Sequence, residues 1–192
     1  MTIVSIRGTH GSGKSTIVKK ILDKYGAVEL PLGSKRPKGY RVNTGHPQQI
    51  IVVGPYTTAC GGCDAVQPYS EIWPTAQAAL DNGYHVLLEG ALVSSSYGSI
   101  GHAMNAYAPD AVFAFLDTPL EVCLQRIAAR RAARGNFEPV NPKNTTVKFD
   151  NVLRTKDQMR KLGSAVRIVD IDHTKPVQQV LRLFGVRINK EP

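Results

Sequence analysis

Apolar positions change their spacing several times along the chain, and each change marks an element. Thr2, Ile3, Val4, Ser5 and Ile6 form a short strand-like run. Ile17, Val18, Ile21, Leu22 and Tyr25 then recur every three or four residues, which predicts a helix over 15–25. "QQIIVVGPY" is rich in β-branched residues and predicts a second strand, followed by a helix over 70–82. In "HVLLEG", Val86, Leu87 and Leu88 are apolar without alternation, as in a strand covered on both faces. "DAVFAFLD" repeats that pattern ahead of a helix from 119 to about 134. "NFEPVNPKNTT" reads as a loop, 147–162 as a helix, "AVRIVDID" as a strand and 176–184 as the last helix. Strands alternating with helices predict an α/β fold: a doubly wound parallel sheet of about five strands with helices on both faces. Repeats and low-complexity tracts are absent, and residues 1–192 are expected to form one domain.

Between the first strand and the first helix stands "RGTHGSGKST". Gly8, Gly13, Lys14 and Ser15 match G-x-x-x-x-G-K-[ST], a loop whose backbone N–H groups turn inward around phosphate oxygens. Lys14 then reaches the terminal phosphates and the Ser15 hydroxyl faces Mg2+, with Gly11, Ser12 and Thr16 completing the cradle. The following helix presents its positive N-terminus to the same anion. A plain glycine-rich turn is the competing reading. His10 receives no role.

Charge adds a second theme. The chain carries a net +9 and has a pI near 9.6. The excess is concentrated in "SKRPKGYR" (Lys35, Arg36, Lys38, Arg41) and "RIAARRAAR" (Arg126, Arg130, Arg131, Arg134). Both stretches are either solvated surfaces or contacts to phosphate. Three cysteines, Cys60, Cys63 and Cys123, do not make a disulfide framework, and Cys60-Gly61-Gly62-Cys63 lacks the second pair of a four-ligand zinc site. The glycine pair is expected to allow a close backbone approach. No apolar run is long enough to span a membrane and no leader precedes the first strand, so the expected location is cytoplasmic.

These motifs resemble the P-loop nucleoside and nucleotide kinases, adenylate kinase most plainly. "LLEG" is similar to the strand end where that superfamily keeps a carboxylate for Mg2+, which implies a metal role for Glu89 beside Ser15. "RIAARR" resembles the kinase segment that enters the lid, roughly 130–155 here. It implies that Arg126 faces adenine and ribose, that Arg130 faces the phosphates, and that Arg131 and Arg134 are further lid cations. "DHTKPV" is similar to the loop along the adenine ring, placing Lys175 and Pro176 by the base, with His173 where the family commonly has glycine. ATP and Mg2+ are the implied cofactors. Each residue has a structural alternative: Glu89 as a helix cap, the arginines as a solvated stripe.

The resemblance stops at the acceptor. Where adenylate kinase reads the AMP phosphate, this chain has "ALVSSSY", and it carries an insertion over roughly 31–69. The acceptor half looks more loosely like the bacteriophage P-loop kinases that phosphorylate 5-hydroxymethyluracil within DNA. That likeness implies a host-cytoplasmic enzyme and a base flipped into a pocket of Cys60 to Asp64, Tyr69 and Ser94 to Tyr97. Gly61, Gly62, Tyr69, Ser95, Tyr97 and Arg134 become acceptor contacts, Arg36 tracks the DNA backbone, and Tyr40 stacks a base. Asp64 is the candidate to orient the attacking hydroxyl, alongside Lys14 and Arg130 as catalytic cations, although a turn-capping Asp fits equally well. A kinase for a free nucleoside, nucleotide or metabolite and a P-loop ATPase or switch remain open.

Overall fold

The computed structural model describes residues 1–30, 38–57, 61–107 and 110–187. In chain order the elements are β1 (Ile3–Arg7), α1 (Lys14–Tyr25), β2 (Ala27–Leu30), β3 (Gly39–Val42), β4 (Ile50–Val53), α2 (Ile72–Asp81), β5 (His85–Glu89), α3 (Ala91–Ser94), α4 (Gly98–Tyr107), β6 (Ala111–Leu116), α5 (Leu120–Ala132), α6 (Pro142–Arg160), β7 (Arg167–Ile171) and α7 (Pro176–Leu183). The strands form one seven-stranded sheet in the order β2-β3-β4-β5-β1-β6-β7. β4, β5, β1, β6 and β7 run parallel, as expected for about five strands. The sheet is larger than that expectation because β2 and β3 add an antiparallel hairpin to the β4 edge. β2 escapes a sequence reading because its residues Ala27 to Glu29 are exposed, so no apolar face marks it. The stretch 31–69, read as an insertion, therefore supplies β3 and β4 before its irregular part.

Alternation along β1 divides the core. Val4 and Ile6 point to the face covered by α1 and α7, where they meet Ile17, Val18, Ile21, Val180 and Leu181. Ile3 points to the opposite face and joins Ile72 and Ala76 of α2, Met104 of α4, and Val152 and Met159 of α6. All of these are nearly free of solvent, and each large apolar side chain so buried contributes about 1.5–3 kcal/mol. β1 is central, with Ile3 opposite Val86 on one side and Ala111 on the other.

Two boundaries differ from the sequence reading. α6 starts at Pro142 rather than 147, because the Asn141 side chain accepts a hydrogen bond from the Lys143 amide (3.0 Å) and Pro142 suits a first turn. α3 and α4 occupy a serine- and glycine-rich stretch that carries little helical pattern. Among the described residues no helix is long and apolar enough to cross a membrane.

The parallel strands all end at one edge of the sheet. β1 leads there into residues 8–13, β5 into Glu89-Gly90, β6 into Asp117-Thr118 and β7 into Asp172-His173. Ligands of doubly wound sheets bind in that crevice.

Candidate active site

Residues 8–13 leave β1 and close on the first turn of α1, as the motif predicts. The loop is tied down from several sides. The Ser12 carbonyl accepts from Thr118 Oγ1 (2.9 Å) and from Arg126 Nη1 (3.0 Å). The Ser12 hydroxyl donates back to Thr9 O (2.8 Å), and the Gly8 amide donates to Ser94 Oγ (3.2 Å). Gly11 has φ +77°, and a Cβ there would lie 2.4 Å from the Cys123 carbonyl oxygen, so α5 sits directly behind the loop. Lys14 is 7% exposed, and its ammonium donates to Gly8 O (2.7 Å) and Thr9 O (2.9 Å). A cation, a helix N-terminus and a run of backbone amides thus converge at one place, the requirements of a polyphosphate site.

Glu89 ends β5 beside Ile6 and is 1% exposed. Its Oε1 accepts from Ser15 Oγ at 3.0 Å. Burial pushes the Glu89 carboxyl above its ordinary range, against the pull of the Lys14 ammonium and the Ser15 hydrogen bond. A buried carboxylate and a hydroxyl meeting beside a phosphate loop fit a hard divalent cation. The surrounding chain fits too. Gly62, at φ +82°, comes so close that a Cβ would stand 2.4 Å from Glu89 Oε1.

That approach corrects one expectation. Gly61 and Gly62 make room for the chain itself, Gly61 against Pro55 O and Gly62 against Glu89, rather than for a base. Tyr40 is corrected as well. It is 7% exposed, packs 6.0 Å from the Tyr56 ring, and its hydroxyl accepts from the Tyr56 amide (3.1 Å), so no face remains for stacking. Arg36, Lys35 and Cys60 lie outside the described residues. Lys38 and Arg41 line a cavity of about 400 Å³ with Leu30, Ile51, Glu71 and Tyr84.

Asp64 is exposed and caps α3, its Oδ2 accepting from the Ala91 amide (2.6 Å) and its Oδ1 from the Leu92 amide (3.0 Å). The cap places this carboxylate against Gly90, one residue beyond Glu89. Ser95 is held by Thr155, whose hydroxyl donates to Ser95 O (3.1 Å). Tyr97 packs on His102 and Phe113, and Tyr69 lies exposed in a short turn before α2.

Of the four arginines of α5 and its end, Arg126 and Arg130 serve the loop side. Arg126 bonds Ser12, and Arg130 is near enough to His10 to help lower its pKa. Arg131 instead closes the turn before α6, donating to Pro139 O (3.4 Å) and Asn136 Oδ1 (3.3 Å). Arg134 is exposed beyond the helix. Lys175 caps α7 and Pro176 opens it, in a loop pinned to β6 by His173, whose amide and Nδ1 meet Asp117 Oδ1 at 2.7 and 2.9 Å. Replacing Arg126 with Ala should release the Ser12 carbonyl and weaken binding of inorganic tripolyphosphate at the loop about tenfold, as loss of one charge-assisted hydrogen bond predicts, measured by titration calorimetry.

The sequence reading missed a cleft. Gly8, Thr9 and His10 form one wall, α3 and its end supply Ala91, Leu92 and Ser95, and α6 supplies Lys148, Asn151 and Val152 around about 140 Å³. His10 Nε2 and Lys148 Nζ are 2.7 Å apart across it, and burial together with Lys148 lowers the His10 pKa. Thr118 was also missed, and Ser94, read from the sequence as lining the base pocket, accepts from the Gly8 amide of the phosphate loop.

The phosphate-loop residues, the Ser15–Glu89 pair and the small cleft beside Gly8 to His10 thus lie together at one edge of the sheet. Comparison with known proteins agrees. A family model described as 5-hmdU DNA kinase matches residues 2–179. The 5-hmdU DNA kinase of Pseudomonas phage PaMx11 is 34% identical over 174 residues, covering 88% of this chain and 91% of that one. That of Pseudomonas phage M6 is 30% identical over 197 residues, covering 96% and 100%. Among solved structures, a gluconokinase from Sinorhizobium meliloti 1021 covers 95% of this chain and 88% of its own at 14% identity and a TM-score of 0.44, too distant to carry an argument. The chain is a kinase and belongs to the 5-hmdU DNA kinase family.

Proposed function

We propose that this kinase moves the γ-phosphoryl group of ATP to the 5-hydroxymethyl oxygen of 5-hydroxymethyldeoxyuridine within DNA, in the host cytoplasm. The observation that carries this reading is the cleft between the phosphate loop and α6, which opens beside Gly8 to His10 and is sized for one pyrimidine ring. A base can reach such a cleft only when turned out of the duplex, at a cost of a few kcal/mol.

The nucleotide side comprises Gly8 to Thr16, with Arg126, Lys175 and Pro176 toward the base. Ser15 and Glu89 would hold Mg2+, which neutralises charge on the transferring phosphoryl group. The acceptor oxygen forms a bond to the γ-phosphorus as the bond from that phosphorus to the bridging oxygen breaks, and ADP leaves. Lys14 and Arg130 offset the charge that develops on the oxygens. The hydroxyl proton passes to Asp64. Its two oxygens each accept one amide and keep a further lone pair, so capping α3 does not exhaust the carboxylate. Residues 130–155, comprising the end of α5, the turn closed by Arg131 and the start of α6, act as the lid. Ser95, Tyr69, Tyr97 and Arg134 border the acceptor.

Lys38 and Arg41, with Lys35 and Arg36, provide the cationic track for the DNA backbone. Gly39 pairs with Val53, so this hairpin turns at the same edge of the sheet as the site. Steady-state transfer from labelled ATP tests the reading. Duplex DNA containing the modified base should be phosphorylated with a rate that falls steeply between low and moderate salt, and with a KM raised severalfold by Lys38→Ala and Arg41→Ala together. Efficient use of the free nucleoside, indifferent to salt and to both substitutions, contradicts it.

A further inference from the structure

One buried polar group beside the site has no role in the chemistry above. Tyr56 follows β4, in the loop that Gly61 and Gly62 press against, and it is 7% exposed. Its ring is fixed by Tyr40 at 6.0 Å, and its amide is satisfied by the Tyr40 hydroxyl (3.1 Å). Its own hydroxyl is fully buried and lies within reach of the Glu89 side chain, without closing a hydrogen bond of good geometry among the described residues. The groups acting on that hydroxyl are Glu89 first, then Cys63 and Asp64. All three are acidic or thiol groups, and none is a cation.

A phenol so placed is a poor choice for packing alone. Leaving a hydroxyl dry and unbonded is costly, and Phe would fill the same space without that cost. The hydroxyl lies near the same carboxylate that Ser15 contacts, with Gly61 against the Tyr56 ring and Gly62 against Glu89 Oε1. Ligand carboxylates and metal-bound waters are regularly oriented by an outer hydrogen-bond donor, and loss of that donor weakens metal affinity about 10- to 100-fold.

We propose that Tyr56 is a positioning residue of the divalent-cation site: its hydroxyl donates a hydrogen bond to the oxygen shell that Ser15 and Glu89 build, fixing the Glu89 carboxylate for the metal–nucleotide complex. This rests on the reading of Ser15 and Glu89 as metal-binding residues. It is independent of the acceptor's identity.

The test is Tyr56→Phe, which keeps the ring and its packing. Mn2+ serves as the probe, its free concentration read by electron paramagnetic resonance during titration of the protein–ATP complex. Glu89→Gln is measured in parallel. The variant should melt within a few degrees of the parent, since the ring and its packing are kept. It should bind ATP in EDTA with unchanged affinity, and bind Mn2+ about tenfold more weakly. Its turnover should recover part of the loss at high Mg2+. Unchanged Mn2+ affinity in Tyr56→Phe with a clear loss in Glu89→Gln overturns the role of Tyr56 alone. Unchanged Mn2+ affinity in both overturns the metal reading beneath it.

Discussion

Lys14→Ala is expected to remove phosphoryl transfer, lowering kcat by at least about 10³-fold and weakening ATP binding as well. The geometry explains why no neighbour can substitute. The ammonium is almost wholly buried and is aimed by two carbonyls, Gly8 O and Thr9 O, that belong to the phosphate loop itself. Arg126 is anchored to Ser12 on the other side of the loop, by a side chain exposed for much of its length, so it cannot move into that position without releasing Ser12. Single-turnover transfer and calorimetric titration of ATP measure the two losses separately. Retention of a tenth of the parental rate would mean that the loop amides alone stabilise the transferring phosphoryl group.

Asp64→Asn separates two roles that occupy one side chain. As a cap of α3 the carboxylate accepts from Ala91 on one oxygen and from Leu92 on the other, and Asn keeps only one of these acceptors. One amide is left unpaired, so the melting temperature should fall by a few degrees. As acceptor of the hydroxyl proton the carboxylate is irreplaceable by an amide, and kcat should fall by about 10²- to 10⁴-fold with ATP affinity unchanged. A variant with parental kcat and lowered stability would leave Asp64 as a cap only, and the proton would have to leave by another route.

What the sequence disclosed depended on how far apart the interacting residues lie. The phosphate loop is contiguous, so its glycines, Lys14 and Ser15 could be read as a unit, and the strand before it and helix after it follow from local periodicity. Parallel strands β5 and β6 were legible because burial on both faces removes alternation. The basic stretch around Tyr40 misled for the opposite reason. Residues adjacent in sequence looked like one surface, but a strand sends neighbours to opposite faces, so Arg41 is exposed while Tyr40 and Val42 are buried. The Gly61-Gly62 pair announced a close approach without naming the partner. Glu89 and Pro55, not a substrate, are what the pair admits. His10 and Lys148 meet across 138 residues, and no local pattern encodes such a contact. The early start of α6 was available in Asn141-Pro142, a cap followed by the residue that suits a first turn.

The position of the transferred phosphate tests the central claim most directly. Duplex DNA carrying 5-hydroxymethyldeoxyuridine at one internal site is incubated with the kinase and ATP, digested to nucleosides with nucleases under conditions that spare a base phosphate, and analysed by mass spectrometry. The account predicts a modified deoxyuridine heavier by one phosphoryl group, the phosphate on the base's hydroxymethyl oxygen, absent with Lys14→Ala and absent when thymidine replaces the modified base. Phosphate found at a strand terminus, or only on the free nucleoside added as a competitor, would contradict it.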